Sequence, residues 1–291
     1  MSLVESIKKK ASQINPANEA AVTIGRTLGT EPAVSAVRIE DIAEHFELIE
    51  IPAVMQHSMN APQGAELMRQ WFQSPPFVLP ESWRPGNINS LSIPSQNLNT
   101  TTIKMSWVAG FPRVVNGLIK LERERITTAA ASRELRRILQ RQQFLTNRRE
   151  PIGVSRDTVV LHETAHLNSE PIPWGGTVDP LDCALAAFTL HMAISGFVSP
   201  LSTKSTSKTH EVEITELHFY VRDCYDFTSD REPLGSWNRT GASVSPYVLG
   251  KFFAENNVFR KWRDRHNRGG DFVIFSDLLT KRLPRPITIQ I

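Results

Sequence analysis

Asp179-Pro180-Leu181-Asp182-Cys183-Ala184-Leu185-Ala186-Ala187-Phe188-Thr189-Leu190-His191-Met192-Ala193-Ile194-Ser195-Gly196-Phe197 is the stretch on which the fold turns. Asp179 and Asp182 stand where helix caps stand, and the residues after them are almost continuously apolar. Cys183–Val198, interrupted by Thr189, His191 and Ser195, is short for a membrane span, so the expectation is a buried helix. Downstream, Val212 and Ile214, then Leu217, Phe219 and Val221, alternate as a strand with one slip of phase, as a bulge produces. Asp271-Phe272-Val273-Ile274-Phe275 and Pro286–Ile291 read as further strands. The expected class is α+β: a helical N-terminal half, and a C-terminal antiparallel sheet packed on a buried apolar helix. Residues 1–150 read as a mostly helical scaffold and 151–291 as an α+β region, either as two units or as one continuous domain.

Upstream the helical signal is clear. Gly64–Phe72 reads as a short helix, and Asp41–Ile49 carries a helical patch. Pro75, Pro76, Pro80, Pro85 and Pro94 exclude a long helix or central strand between them. Residues 113–145 carry an apolar stripe from Val115 to Leu145, with the Thr127-Thr128 pair marking a break. Ser199–Thr209, rich in Ser and Thr, reads as an exposed connector.

With 291 residues the chain makes one large or two ordinary domains at about 150 residues each. A hydrophobic fraction of 40% and a charged fraction of 22% exclude wholesale disorder, a collagen and a disulfide scaffold. The net charge of +3 is too small to argue for nucleic acid. Lys8-Lys9-Lys10 has no apolar run behind it, so no secretory signal and no transmembrane segment are expected. The chain reads as made in the cytoplasm, with export to a target cell's periplasm by a secretion machine left open. Cys183 and Cys224 have no motif spacing and read as reduced thiols.

Nine of the ten Asp fall between Asp157 and Asp277, which directs a search for chemistry to the second half. His162-Glu163-Thr164-Ala165-His166 fits the HExxH pattern, in which two imidazoles one helical turn apart bind zinc and the Glu polarises a metal-bound water. The same residues also suit a strand and loop. The segment resembles the aspartate-ligand zinc peptidases through Gly176-Thr177-Val178-Asp179. That resemblance implies His162, His166 and Asp179 as metal ligands and Glu163 as base; the chain departs from it at Pro180-Leu181, where that family has a Tyr-Gly pair.

Asp223-Cys224-Tyr225-Asp226-Phe227 ends the long strand. On extended backbone Asp223 and Tyr225 face one way and Cys224 and Asp226 the other, so a bend is needed to bring the carboxylates together. A turn with Asp226 and Asp230 as caps accounts for the same residues. The stretch is similar to the active-site segment of colicin-M-type bacteriocins, which cut the lipid-linked peptidoglycan precursor at its phosphate linkage. The resemblance implies catalytic roles for Asp223, Tyr225 and Asp226. Arg231 stands near the family's later His-Arg pair, whose His has no counterpart here.

A broader resemblance is carried by Asp182–Gly196, Tyr225-Asp226-Phe227, Leu234-Gly235-Ser236-Trp237-Asn238, Asn257–Arg263, Arg268-Gly269-Gly270-Asp271-Phe272 and Phe275-Ser276-Asp277. It is to uncharacterised bacterial proteins encoded near type VI secretion spike genes. What it implies is a setting, competition between bacteria, and a partner from the spike or a neighbouring gene. The expectation is an antibacterial effector acting on the cell envelope. The alternatives are a zinc metallopeptidase at His162/Glu163/His166, or a non-enzymatic immunity or adaptor protein. Cofactor expectations are limited to a divalent metal, zinc if the histidines bind one. Arg260–Arg268 could bind an anion, although basic residues before Gly269-Gly270 equally suit a helix C-terminus.

Overall fold

The computed structural model of the chain describes residues 46–84, 89–176, 178–201, 209–229, 233–243 and 251–291. Most of the Asp41–Ile49 patch, most of the Ser199–Thr209 connector, and Arg231 lie outside the described residues.

The N-terminal half is helical, as its sequence indicates: α1 (Ile51–His57), α2 (Pro62–Gln73), α3 (Met105–Val108), α4 (Pro112–Glu124) and α5 (Ala129–Arg141). α4 and α5 divide the 113–145 stripe at the Thr127-Thr128 pair. There the Thr128 hydroxyl accepts from the Ala131 amide as N-cap, so a new helix starts where one long one would have continued. The proline-rich stretch forms 3₁₀ turns and the two-residue strand β1 (Leu98–Asn99).

The C-terminal half builds a seven-stranded, mostly antiparallel sheet from β1, β2 (Glu150–Ile152), β3 (His166–Ile172), β4 (Phe188–Pro200), β5 (His210–Tyr225), β9 (Phe272–Phe275) and β10 (Leu279–Gln290). β4 and β5 pair at its centre from Thr189↔Arg222 to Pro200↔His210. β9 and β10 share the outer edge of β5, while β2 and β3 share that of β4. A second sheet of β6 (Pro233–Asn238), β7 (Gly241–Ser243) and β8 (Phe252–Glu255) leads into α8 (Asn256–His266).

The apolar stretch quoted first is not one buried helix. Its first six residues form α7 (Pro180–Leu185), opened by a capping box between Asp179 and Asp182. Ala186 then takes a positive φ of 49°, and the rest is β4. Both faces of β4 are covered, which hides the two-residue alternation behind a continuous apolar run. Leu190, Met192 and Ile194 face the main core with the helices, while Ala193 faces a second cluster beneath α6 (Thr158–Ala165) with Tyr220, Val273 and Phe275. The phase slip in β5 is a real bulge: Ser195 pairs with Glu216, and Gly196 with Ile214.

One main core runs from Leu48 to Ile291, drawing on helices and strands of both halves. Among the described residues no helix is long and apolar enough to cross a membrane.

Candidate functional site

The HExxH segment does not form a two-histidine helical face. Asp157 caps α6 through the Val160 amide, and α6 ends at Ala165, so His162 is helical while His166 opens β3. The turn still brings their rings to 5.3 Å, and His191 on β4 completes a triangle at 5.2 Å from His162 and 5.3 Å from His166. His162 Nδ1 lies 2.8 Å from the Tyr220 hydroxyl, and His191 Nδ1 lies 3.3 Å from His166 Nε2. Burial, then the neighbouring His166 and Arg222, push the His162 imidazole down to about 2, and burial also holds His191 well below its ordinary value. Glu163 accepts from the Ser90 amide at 2.9 Å. Glu134 meets His166 Nδ1 at 3.8 Å; burial opposes its ionisation, but hydrogen bonds from His166 and Arg137 hold its carboxyl at about 2.

Asp179 is engaged elsewhere. It receives Arg113 in two contacts of 2.5 and 2.9 Å and caps α7 through the Asp182 amide. The three residues that the peptidase resemblance groups as ligands therefore do not converge. Among the described residues no group of three or more His, Cys, Asp or Glu stands ready to hold a metal ion. His191, which does join the two histidines, sits inside the apolar stretch, where nothing in its neighbours sets it apart from a core residue.

Asp223, Tyr225 and Asp226 do come together, around a cavity of 440 Å³ at the C-terminal end of β5. The strand stops at Tyr225 and the chain turns at Asp226, whose carboxylate accepts from the Thr228 amide at 3.1 Å. Residues from both faces of the strand thus reach one space, and the bend that alternation requires is this turn. Arg84, from the proline-rich stretch, donates to Asp226 at 3.4 Å and to Thr228 Oγ1 at 2.7 Å. Beneath the turn, Phe227 stacks on Phe259 with ring centroids 3.9 Å apart and meets Trp71 edge-on at 4.9 Å. Arg260 of α8 donates to the carbonyls of Phe227 and Ser229, each at 2.9 Å, and so holds the turn.

The electrostatics of the cavity separate its acids. Asp223 is pushed up to about 8, first by desolvation and then by the charge of Asp226, so it carries its proton at neutral pH. Asp182, which also lines the cavity, is pushed up to about 6 by burial, although it accepts from Arg113 and from the Gly175 amide. Burial lifts Cys183 and Cys224 to about 12, so neither thiol that lines the cavity is a ready nucleophile. Tyr225 is also shifted up by burial; its hydroxyl points to Met68 Sδ at 3.5 Å and its ring stacks on Phe272 at 5.0 Å. Tyr225 therefore builds the wall rather than offering a phenolate. Met55, Met68, Trp174, Leu185, Trp237 and Phe259 make much of the remaining surface apolar.

Arg84 has no place in the sequence reading, and Asp182 and Trp237 stand there as a helix cap and as part of a resemblance, not as site residues. For Arg84 the signal is slight: it is the only basic residue between Arg69 and Lys104.

No curated protein and no solved structure matches the chain. A family match does cover residues 46–254 and 249–291, its description being a family of unknown function, DUF6402. On that coverage the chain belongs to the DUF6402 family.

Proposed function

We propose that the cavity at the end of β5 is the active site of a hydrolase acting on the bacterial cell envelope, with Asp223 as general acid and Asp226 as general base. The observation that carries this reading is the convergence of Asp223, Asp226 and Arg84 on one largely apolar cavity. Two carboxyl groups whose surroundings differ this much supply a proton donor and an acceptor side by side. Asp226, steadied by Arg84 and Thr228, takes a proton from water as the water attacks the scissile centre. Asp223 gives its proton to the departing oxygen, and the exchange of protons restores both groups. The apolar walls suit a substrate with a greasy portion beside a polar linkage, such as the lipid-linked peptidoglycan precursor. The setting, a type VI secretion-associated antibacterial effector, rests on the resemblance carried by residues 182–277, as does a partner from the secretion spike or a neighbouring gene. An immunity or adaptor protein is the competing class, and it requires no turnover.

The test is hydrolysis of the lipid-linked precursor in detergent, followed by release of water-soluble phosphorylated product. The wild type should release it. Asp223→Asn and Asp226→Ala should each slow release by about 100-fold or more while both variants stay folded. No release by the folded wild type, or equal release by the variants, contradicts the proposal.

A further inference from the structure

A second constellation lies away from this cavity, at the bulge that joins β4 and β5. Ser195 Oγ stands 2.6 Å from His218 Nε2, and His218 Nδ1 stands 2.9 Å from Thr280 Oγ1 on β10. Arg156 Nη1 approaches the same Nε2 at 3.3 Å. A guanidinium only donates, so with Arg156 as its partner Nε2 would accept and the ring proton would sit on Nδ1, facing Thr280. That is the tautomer a general base needs when it faces a serine hydroxyl. The single Ser195 proton has two acceptors within reach, His218 Nε2 and the Gly153 carbonyl at 2.5 Å.

Ser195 is 8% exposed, and it lines a groove of 560 Å³ with Ile152, Val154, Phe197, Leu283 and Arg156. Val154 is 74% exposed, which leaves an apolar surface beside the hydroxyl open to a ligand. The groove depends on two glycines whose places no larger residue can take. A side chain at Gly153, at φ +63°, would stand on the Ile194 carbonyl, and one at Gly196 would stand on that of Glu213. Bulges of this kind re-aim side chains next to active sites.

We propose that Ser195 and His218 form a nucleophile–base pair that hydrolyses small esters with an apolar acyl group bound in this groove. Ser195 Oγ bonds to the carbonyl carbon as its proton passes to His218 Nε2. Collapse of the tetrahedral adduct breaks the bond to the alcohol oxygen, which leaves with that proton. Water then attacks the acyl-serine by the same route, giving acid and restored hydroxyl. Arg156, which lines the groove and pairs with Glu216 at 2.8 Å, would supply the charge for the developing oxyanion, while Glu216 Oε2 lies 3.9 Å from His218 Nε2. Burial and Arg156 push His218 down to about 4, so the ring is neutral at neutral pH.

The full chain is treated with a fluorophosphonate probe and the adduct mapped by mass spectrometry, with p-nitrophenyl butyrate turnover measured in parallel. The expected adduct is on Ser195, blocked by butyrate ester. Ser195→Ala should lose both label and turnover. Thr280→Val, which removes the partner of Nδ1 without touching the pair, should lower turnover about tenfold. Asp223→Asn should leave labelling unchanged, so failure here and failure of the envelope-hydrolase reading are told apart. A folded wild type that takes no label, a label elsewhere, or undiminished turnover in Ser195→Ala overturns the proposal. The adduct on the wild type decides the matter even if a variant fails to fold.

Discussion

Asp223 carries a proton in the fold that it loses in the unfolded chain, and this makes stability a readout of the cavity. Its folded value of about 8 lies above the ordinary 3.8. The stabilisation it contributes is complete below pH 3.8 and is lost as pH rises through 8. Between about pH 6.5 and 8, urea unfolding should show stability falling by up to about 1.4 kcal/mol per pH unit. Asp223→Asn should flatten that slope, and parallel curves for the two proteins would show that the carboxyl is ionised. Arg84→Ala tests the other acid: its side chain is 37% exposed, so the change should cost less than about 1 kcal/mol in stability. Turnover should nevertheless fall about tenfold to a hundredfold, because Asp226 loses its cation. At this scale the two aspartates were legible from their place at a strand end. Arg84 was not, since the residue it meets is 142 positions away and sequence records no such distance in space.

Among the elements, β5 and β4 differ in how openly they declare themselves. β5 keeps an alternating pattern, and even its bulge shows as the slip between Ile214 and Leu217. α4 and α5 are equally plain, down to the Thr128 cap. β4 conceals itself because apolar residues cover both its faces, and the capped α7 before it supplies a true helix start. The strand assignment has a sharp consequence at Gly196. In a helix, Gly196→Ala would stabilise by about 1 kcal/mol. In the β4–β5 ladder the added methyl meets the Glu213 carbonyl, so thermal unfolding should show a loss of about 1–3 kcal/mol. A stabilised variant would contradict the ladder. The HExxH residues, which suited a strand and loop as well as a helix, divide between the two: α6 ends at Ala165, and His166 opens β3.

Across the whole molecule the helical and sheet halves are tied through Asp271. Its carboxylate accepts from Trp71 Nε1 on α2 at 2.8 Å and from the Leu79 amide at 3.1 Å, and it pairs with Arg263 on α8. All of these partners are buried, so Asp271→Ala leaves the Arg263 cation uncompensated and should cost about 3–5 kcal/mol. Because Asp271 joins elements of both halves, chemical denaturation followed by tryptophan fluorescence and by far-ultraviolet circular dichroism should give coincident transitions. Separate midpoints would mean that the halves unfold apart. The cavity draws walls from α1, α2, α7, the end of β5, β6 and α8, which is why its outline could not be read from any one segment. The central claim is that this assembled cavity is a catalytic site for an envelope substrate. The most direct test is lysis of a bacterial strain expressing the chain with a periplasmic signal, beside Asp226→Ala at equal abundance. The account predicts lysis by the wild type and intact cells with Asp226→Ala. Lysis by both, or by neither, contradicts it.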